Sequence, residues 1–228
     1  MDVPTTYEQK HLLAIAEVKG CARLRVLAEE RGAISAAVEN AADAFARIER
    51  RKGIRLDPEL QRCFLRYSDL GLYWRGDGPY GDIAGEFYLP RLTKALLGGP
   101  SESIAATNPE EAELYAQLRV IDYHPHGGTG TFSALRVATE GTSSEIWYYD
   151  MNRGIFPLDI DYCTYLDQVL VTRGFYGWQY LFADVSFRAR EFAAIAVTAR
   201  KSIDLLSALF PDAAYEPLES RLAQRLNR

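Results

Sequence analysis

Three residues that can bind a metal or move a proton stand at alternate positions in "DYHPHGGTG", namely Asp122, His124 and His126. Residues two apart in an extended segment lie on the same side, and imidazole with carboxylate is a ligand set that suits zinc or iron. Pro125 interrupts this alternation, however, and His11 is the only other histidine in the sequence. A solvent-exposed hairpin end therefore explains the segment better than a metal site, and no cofactor is expected.

Other patterns that could indicate catalysis lack the residues that would complete them. "GGTGT", residues 127–131, has neither the lysine nor the following helix of a phosphate-binding loop. The sequence contains no G-x-S-x-G motif, and Cys163 has no nearby base that would activate it as a nucleophile. Asp159 and Asp161 could form an acid–base pair, but their place before a helix favours capping. We therefore expect a non-enzymatic protein, with a metal-dependent hydrolase using His124 and His126 as one alternative.

A glycine-rich loop, "RGDGPYGDIAGE" at residues 75–86, is the better candidate for binding. Loops that combine polar groups with a flexible backbone often carry function. Within this loop Tyr80 is an attractive anchor, because an aromatic side chain buries much area at a low cost in entropy. An ordinary surface loop is the alternative. The candidate partner-binding residues are Arg75, Asp77, Tyr80, Asp82 and Glu86.

Charge is distributed unevenly along the 228 residues, whose net charge is −5. Residues 57–184 contain nine lysines and arginines but eighteen aspartates and glutamates. Such an acidic region repels nucleic acid and favours a basic protein partner, although acidic surfaces also occur simply to keep proteins soluble. No nucleic acid is expected among the partners.

The N-terminus and the cysteines bear on location. "MDVPTTYEQKHLL" lacks a basic region followed by a long apolar run, and no stretch of eighteen apolar residues occurs. We therefore expect a cytoplasmic protein without a membrane partner. Cys21, Cys63 and Cys163 are an odd number of widely separated cysteines, which predicts reduced and mostly packed thiols.

The elements that must position these residues change type along the chain. Helical spacing of apolar residues is found from Thr5 to Lys52, with Leu24, Val26 and Leu27 included, and a single amphipathic helix is predicted from Ala33 to Lys52. Asp57 and Pro58 begin another helix, which is expected to end at Gly71. Strands are then predicted at "GLYWRG" (71–76), "GEFYLP" (85–90), "LRVIDYH" (118–124), "TFSALRVA" (131–138) and "SEIWYYD" (144–150).

Helical spacing occurs again between and after these strands. Short helices are predicted at residues 91–97 and after "TNPEEAELYAQL", and Asp161 is a suitable cap for "YCTYLDQVLVTR". A long helix is expected from Val185 to Phe210, followed by "EPLESRLAQRL". This order predicts an α+β fold in which a mixed, mostly antiparallel sheet of about five or six strands is backed by helices, with added N-terminal and C-terminal helices.

An aromatic stretch, "RGFYGWQYLF" at residues 173–182, could be a binding cradle or a corner of the core. Gly174 suits a left-handed helix end, which would turn the following side chains into the space between helix and sheet. Aromatic stripes mostly pack in cores, so the second interpretation is preferred. The predicted core residues are Trp178, Phe175, Phe182, Tyr162 and Leu166.

The order of these motifs resembles the SUKH superfamily, which includes fungal cell-wall-assembly regulators and many bacterial immunity proteins. The resemblance is carried by "P-x-L-x-x-x-F-L" in a helix, the strand "AGEFYL", the pair "GTGTFSALRV" and "SSEIWYYD", and "IFPL" before "DYCTYLDQVL". It covers residues 56 to about 182. The corresponding organisation is an N-terminal helical extension at 1–55, a SUKH-like core at 56–184 and a C-terminal helical extension at 185–228 packed on the core.

The resemblance implies a non-enzymatic binding protein. Many such bacterial proteins are immunity proteins that block a toxin, often a nuclease, and the acidic middle of this sequence agrees with a basic toxin as partner. The alternative is a house-keeping interaction or scaffold protein similar to the fungal regulators. In that case the N-terminal helices would form a homodimer.

Overall fold

The computed structural model describes residues 3–34, 40–98, 106–137 and 145–228, which contain both helices and antiparallel strands. The expected α+β class is confirmed. Within these ranges, seven strands form two antiparallel sheets of three and four strands, where one sheet of five or six strands was expected. None of the described helices combines the length and the apolar composition needed to cross a membrane.

The first sheet consists of β1 (Leu24–Arg31), β2 (Asp69–Gly76) and β3 (Ala84–Pro90), in that order. Leu70, Leu72 and Trp74 alternate along β2 and are at most 2% exposed. Gly85 on β3 is paired with Trp74, and a Cβ atom at position 85 would lie 2.7 Å from the indole ring. The tryptophan therefore requires a glycine on the neighbouring strand.

The second sheet is a meander of β4 (Leu118–Tyr123), β5 (Thr131–Arg136), β6 (Ile146–Asp150) and β7 (Gly154–Leu158). Alternation along the strands gives it two different faces. On β6, Ile146 and Tyr148 pack in the main core, whereas Trp147 and Tyr149 belong to a smaller cluster on the opposite face. Strand β7 was not predicted from the sequence.

Helices surround the two sheets. The α-helices are α1 (Thr6–Gly20), α2 (Ala41–Lys52), α3 (Leu92–Leu97), α4 (Pro109–Gln117), α5 (Tyr162–Thr172), α6 (Ala193–Leu209) and α7 (Glu216–Asn227), and 3-10 helices lie at Pro58–Cys63, Gly78–Tyr80 and Trp178–Leu181. Asp57 and Asp161 accept hydrogen bonds from Glu59 N and Thr164 N, which are the capping roles expected of them. The helix expected from Asp57 to Gly71 is limited to the 3-10 turn at Pro58–Cys63. The long helix expected to begin at Val185 begins instead at Ala193.

The N-terminal quarter is not all helical, so that prediction is wrong. Leu24, Val26 and Leu27 lie in β1, whose residues alternate between more and less buried positions as strand geometry requires. Ile34 forms a β-bridge with Tyr67, and α2 begins at Ala41 after the cap residue Asn40. Residues 35–39 of the predicted helix lie outside the described residues.

The N-terminal segment also supplies part of the main structure. Strand β1 pairs with β2 from Leu24 to Arg31, so residues predicted as an extension belong to the first sheet. The apolar side of α2 is covered within the same chain, since Ala44 and Ile48 are at most 1% exposed. The boundaries at 55/56 and 184/185 stay predictions.

Glu8 links α1 to Arg66, which lies just before β2. It completes a capping box with Thr5, and its carboxylate accepts hydrogen bonds from the Arg66 backbone (2.6 Å) and guanidinium (2.7 Å). These hydrogen bonds with Arg66 hold the pKa of Glu8 below its usual value although burial opposes them.

The aromatic stretch after α5 is a corner of the core. Trp178, Phe175, Phe182, Tyr162 and Leu166 are all at most 3% exposed. The Trp178 ring packs at 4.8 Å against Tyr165 and edge-on at 5.7 Å against Phe182.

The backbone of the same stretch is bonded to the first sheet. Glu86 N donates to Gly174 O, and Tyr176 N donates to Ala84 O. Gly174 has a φ of +68°, and a Cβ atom there would meet the Glu86 carbonyl at 2.8 Å. Both the positive φ and the close approach therefore favour glycine at this position.

Cys63 and Cys163 form a disulfide, so the expectation of three reduced thiols is wrong. Their Cα atoms lie 5.5 Å apart although 100 positions separate them in the sequence. Cys21 is a free cysteine. Disulfides persist mainly in oxidising compartments, so this bond does not support the expected cytoplasmic location.

Replacing Trp178 by alanine should lower the free energy of unfolding by about 3–5 kcal/mol, because a fully buried indole leaves a large cavity. Urea denaturation followed by circular dichroism measures the change. Trp147→Ala is the matched control, since Trp147 is half-buried and should cost clearly less. Equal losses for the two variants would contradict the assignment of Trp178 to the core.

The Cys63→Ala/Cys163→Ala variant should be less stable than the wild type by about 2–4 kcal/mol, because the bond closes a long loop in the unfolded chain. A reductant should lower the stability of the wild type by a similar amount and leave the double variant unchanged. Cys21→Ala provides the control for loss of a thiol. An unfolding curve of the wild type that does not respond to reductant would show that the bond does not contribute.

Candidate functional site

The glycine-rich loop presents some of its predicted binding residues to solvent. Arg75 and Asp77 are exposed, Tyr80 is half-buried, and exposed Asp82 forms an ion pair with Lys201 on α6 with a 2.5 Å separation between oxygen and nitrogen. The hydrogen bond from Lys201 lowers the pKa of Asp82. Much of the negative charge expected at Asp82 is therefore compensated by α6.

A groove of about 350 Å³ lies between this loop and α6. Its lining combines an apolar part with four charged residues, and the sequence did not indicate that α6 takes part in it. Because two of the charged residues are acidic and two are basic, the groove has no net acidic character. It is lined by Pro79, Tyr80, Ile83, Leu205, Ala208, Arg23, Asp82, Lys201 and Asp204.

Glu86 is buried, with 1% of its surface exposed, so it does not belong to the exposed loop surface proposed from the sequence. Its two carboxylate oxygens accept hydrogen bonds from His126 N and Gly127 N, each at 2.7 Å. The Tyr176 hydroxyl donates a further bond at 3.2 Å. Glu86 thus holds the turn between β4 and β5 and is not available to a partner.

Asp122 is also buried, and its carboxylate accepts hydrogen bonds from Tyr88 N (2.8 Å) and the Tyr165 hydroxyl (2.7 Å). The strand register shifts between Val120 and Asp122 in β4, and after this shift the Asp122 side chain lies on the core side of the sheet. Burial raises the pKa of Asp122 to about 7, although the two hydrogen bonds oppose this change. The negative charge of Glu86 raises it further.

His124 and His126 have separate environments. His124 is buried, and its Nδ1 atom lies 2.8 Å from Thr129 Oγ1 and 3.0 Å from Thr131 Oγ1. Burial lowers the pKa of His124 to about 4, so the imidazole is neutral at pH 7. The His126 ring stacks on Tyr73, and its Nε2 atom is 3.4 Å from Glu30.

The three residues considered for metal binding are therefore held by three different sets of partners. The described part of the chain contains no group of three or more histidine, cysteine, aspartate or glutamate residues that could hold a metal ion. Asp122 and His124 both lie on the buried side of the chain, with exposed Tyr123 between them, but Pro125 and the turn that follows it leave His126 exposed and apart from them. The hydrolase alternative gains no support from this geometry.

His124 does line a polar cleft, of about 310 Å³, between β5, β6 and α6. Asp150 in this cleft accepts hydrogen bonds from the Tyr180 hydroxyl (2.7 Å) and from Arg153 Nη1 (2.9 Å). Thr129 and Thr131 hydrogen-bond each other and His124. These polar groups are therefore hydrogen-bonded to one another, and their arrangement does not indicate a particular reaction.

The outer face of the second sheet is formed by the strand residues that point away from the main core. Leu118, Phe132 and Ala134 are buried there, and half-buried Trp147 and Tyr149 pack beside them. The Phe132 and Tyr149 rings stack at 4.9 Å. The other half-buried members of this face are Val120, Ile155 and, from α4, Leu114 and Tyr115.

Helix α4 at the side of this face is acidic. It contains Glu110, Glu111 and Glu113 and no lysine or arginine, and none of its residues is fully buried. Glu111 accepts hydrogen bonds from Thr107 at the start of the helix. Elsewhere the acidity of residues 57–184 is partly offset by the C-terminal segment, as Asp159 and Asp184 pair with arginines of α7 and the C-terminus.

Trp147 lies on the outer face of the second sheet and not in the main core. The alternation in "IWYYD" was the available signal, because it separates Trp147 and Tyr149 from Ile146 and Tyr148. No comparable signal existed for the cleft or for the groove, whose residues come from distant parts of the chain.

No family model, curated protein or solved structure matches this chain. The resemblance to the SUKH superfamily therefore stays a prediction.

Asp122→Asn should change the pH dependence of stability. Folding raises the Asp122 pKa from an ordinary 3.8 to about 7, so the folded protein binds more protons in this window. The stability of the wild type relative to Asp122→Asn should therefore fall as the pH rises from about 4 to about 7 and then level off.

His124→Gln is the matched variant with the opposite sign. Folding lowers the His124 pKa from 6.5 to about 4, so the stability of the wild type relative to this variant should rise with pH in that window. Chemical denaturation at a series of pH values measures both differences. Two slopes of the same sign would contradict the assigned environments.

Proposed function

We propose that this chain is a non-enzymatic binding protein that docks a basic protein partner on the outer face of the second sheet, beside α4. The observation that carries the proposal is the combination of half-buried aromatic side chains with a flanking helix that contains only acidic charges. The loop residues Tyr80 and Asp82 line a second surface, the charge-balanced groove at α6, and Arg75 and Asp77 are exposed in the same loop.

The aromatic face has the composition of a protein interface. Tyrosine and tryptophan are enriched in such interfaces and often dominate their binding energy, because they bury a large area with little loss of conformational freedom. Trp147 and Tyr149 are partly accessible next to a buried patch of Leu118, Phe132 and Ala134, so a partner would extend an existing cluster. This arrangement supports a docking role for the sheet face.

The charge of α4 indicates the kind of partner. Glu110 and Glu113 are exposed on a helix without any basic residue. Acidic groups at the rim of an interface accelerate association with a basic protein and disfavour acidic ones. A basic partner therefore fits this face better than an acidic protein or a nucleic acid.

The resemblance to the SUKH superfamily leads to the more specific proposal that the partner is a toxin, such as a nuclease, and that this protein is its immunity protein. Nuclease sites are basic because they bind phosphate, which agrees with a partner of opposite charge to α4. The second candidate is a scaffold protein that forms a homodimer through α1. It is favoured by Leu13, which is 61% exposed at a groove of about 670 Å³ that also includes Leu209 and Phe210.

Co-expression with the product of the adjoining gene tests the immunity proposal. The wild type should protect cells from that protein, and Trp147→Ala/Tyr149→Ala should weaken binding about tenfold or more, because truncated hot-spot residues cost more than about 1.4 kcal/mol. Isothermal calorimetry on the purified pair measures the loss. Val197→Ala is the control, since Val197 is an apolar residue that is 57% exposed on α6, away from the sheet face.

The proposal fails if the adjoining gene product is harmless alone or remains lethal beside the wild type. Capture of several cellular proteins, with no effect of the Trp147→Ala/Tyr149→Ala change, would favour the scaffold candidate instead. Equal losses for Val197→Ala and the double variant would remove the sheet face from the interface.

A further inference from the structure

Four basic side chains surround one cleft between α2 and α3. Arg47 and Arg51 lie one helical turn apart on α2, whereas Arg91 immediately precedes α3 and Lys94 lies within it. The cleft has a volume of about 380 Å³ and an apolar part that includes Ala44, Ile48 and Leu97. None of the described residues that line it is acidic.

Helix capping explains only part of this arrangement. Basic residues at the C-terminal end of α2 interact favourably with the helix dipole, which accounts for Arg50, Arg51 and Lys52. It does not account for Arg91 and Lys94, which come from another element and face the same cleft. The dipole of a single helix therefore does not explain why basic residues from two elements line the same cleft.

Arg91 is held in place before any ligand arrives. Its Nε atom donates to Thr93 Oγ1 at 3.1 Å, and its Nη1 atom donates to the Arg66 carbonyl at 3.3 Å. Thr93 is buried, which fixes the orientation of the guanidinium. A guanidinium with a fixed orientation loses little conformational freedom when it binds an anion.

The basic groups also act on one another. Burial lowers the pKa of Arg91, and the nearby charge of Arg47 lowers it further, whereas Asp69 has the opposite effect. Lys94 lies 3.6 Å from this same Asp69. Asp69 therefore acts on both of the basic residues that the α3 segment contributes.

We infer that this cleft binds a small molecule through a phosphate or diphosphate group. Guanidinium groups match phosphate oxygens with paired hydrogen bonds, and an ammonium adds a compact positive charge. The volume is in the range of small-ligand sites. A small anion fits better than a nucleic acid because the site is concave and the net negative charge of the chain repels an extended polyanion. The site is separate from the outer sheet face, so the inference does not depend on the proposed function.

Titration of the full-length protein with inorganic pyrophosphate, followed by calorimetry at constant ionic strength, tests the inference. Saturable binding is expected, and Arg91→Gln and Arg51→Gln should each weaken it about tenfold, as charge-assisted hydrogen bonds are lost. Arg50→Gln is the matched control, because Arg50 lies on the same helix and does not line the cleft. Melting temperatures confirm that each variant is folded.

The inference is overturned if pyrophosphate shows no saturation up to about 10 mM. It is also overturned if Arg50→Gln weakens binding as much as Arg51→Gln, because the effect would then be general charge screening. The inference is also overturned if a single-stranded oligonucleotide or an anionic vesicle binds more tightly than pyrophosphate and depends on Arg51 and Arg91. The cleft would then be a site for a nucleic acid or a membrane surface and not for a small molecule.

Discussion

The two sheets meet at a seam that is bridged by buried carboxylates. Between β3 and β4, Asp122 accepts a hydrogen bond from Tyr88 N, and Glu86 accepts hydrogen bonds from His126 N and Gly127 N. On the backbone of β3, Glu86 is also bonded to Gly174 of the stretch that follows α5. The negative charge of Glu86 disfavours a second negative charge on Asp122 in the same core, and this repulsion contributes to the high pKa of Asp122. The positions of the outer sheet face and of the polar cleft both depend on this seam.

Local patterns predicted the elements whose own residues decide their structure. The strands β2 to β6 and the helices α3, α4, α5 and α7 follow from alternation, helical spacing and caps such as Asp161. The sequence of β1, "LRVLAEER", is rich in residues that favour helices, yet pairing with β2 makes it a strand. The Cys63–Cys163 bond depends on a proximity between residues 100 positions apart, which spacing along the chain cannot reveal.

The candidate sites could be predicted only in part, because the environment of a polar residue is set by distant neighbours. The exposure of Arg75 and Asp77 agrees with a loop, whereas Glu86 in the same segment is buried because its strand lies against the turn at Gly127. Lys201 balances the charge of Asp82 from the other end of the sequence. Net charge summed along a segment is therefore a poor guide to the charge of a folded surface, although the exposed helix α4 within this segment is acidic.

The Cys63–Cys163 disulfide encloses one part of the chain in a covalent ring and leaves two parts outside it. Strands β2 to β7 all lie between Cys63 and Cys163 and so belong to one covalently closed ring, whereas α1, β1 and α2 precede it and α6 and α7 follow it. Even when fully unfolded, such a chain cannot be pulled through a narrow pore as a single strand, since the ring must enter as two strands side by side. Unfoldases and secretion channels that thread substrates from one end would therefore stop at the ring until the bond is reduced.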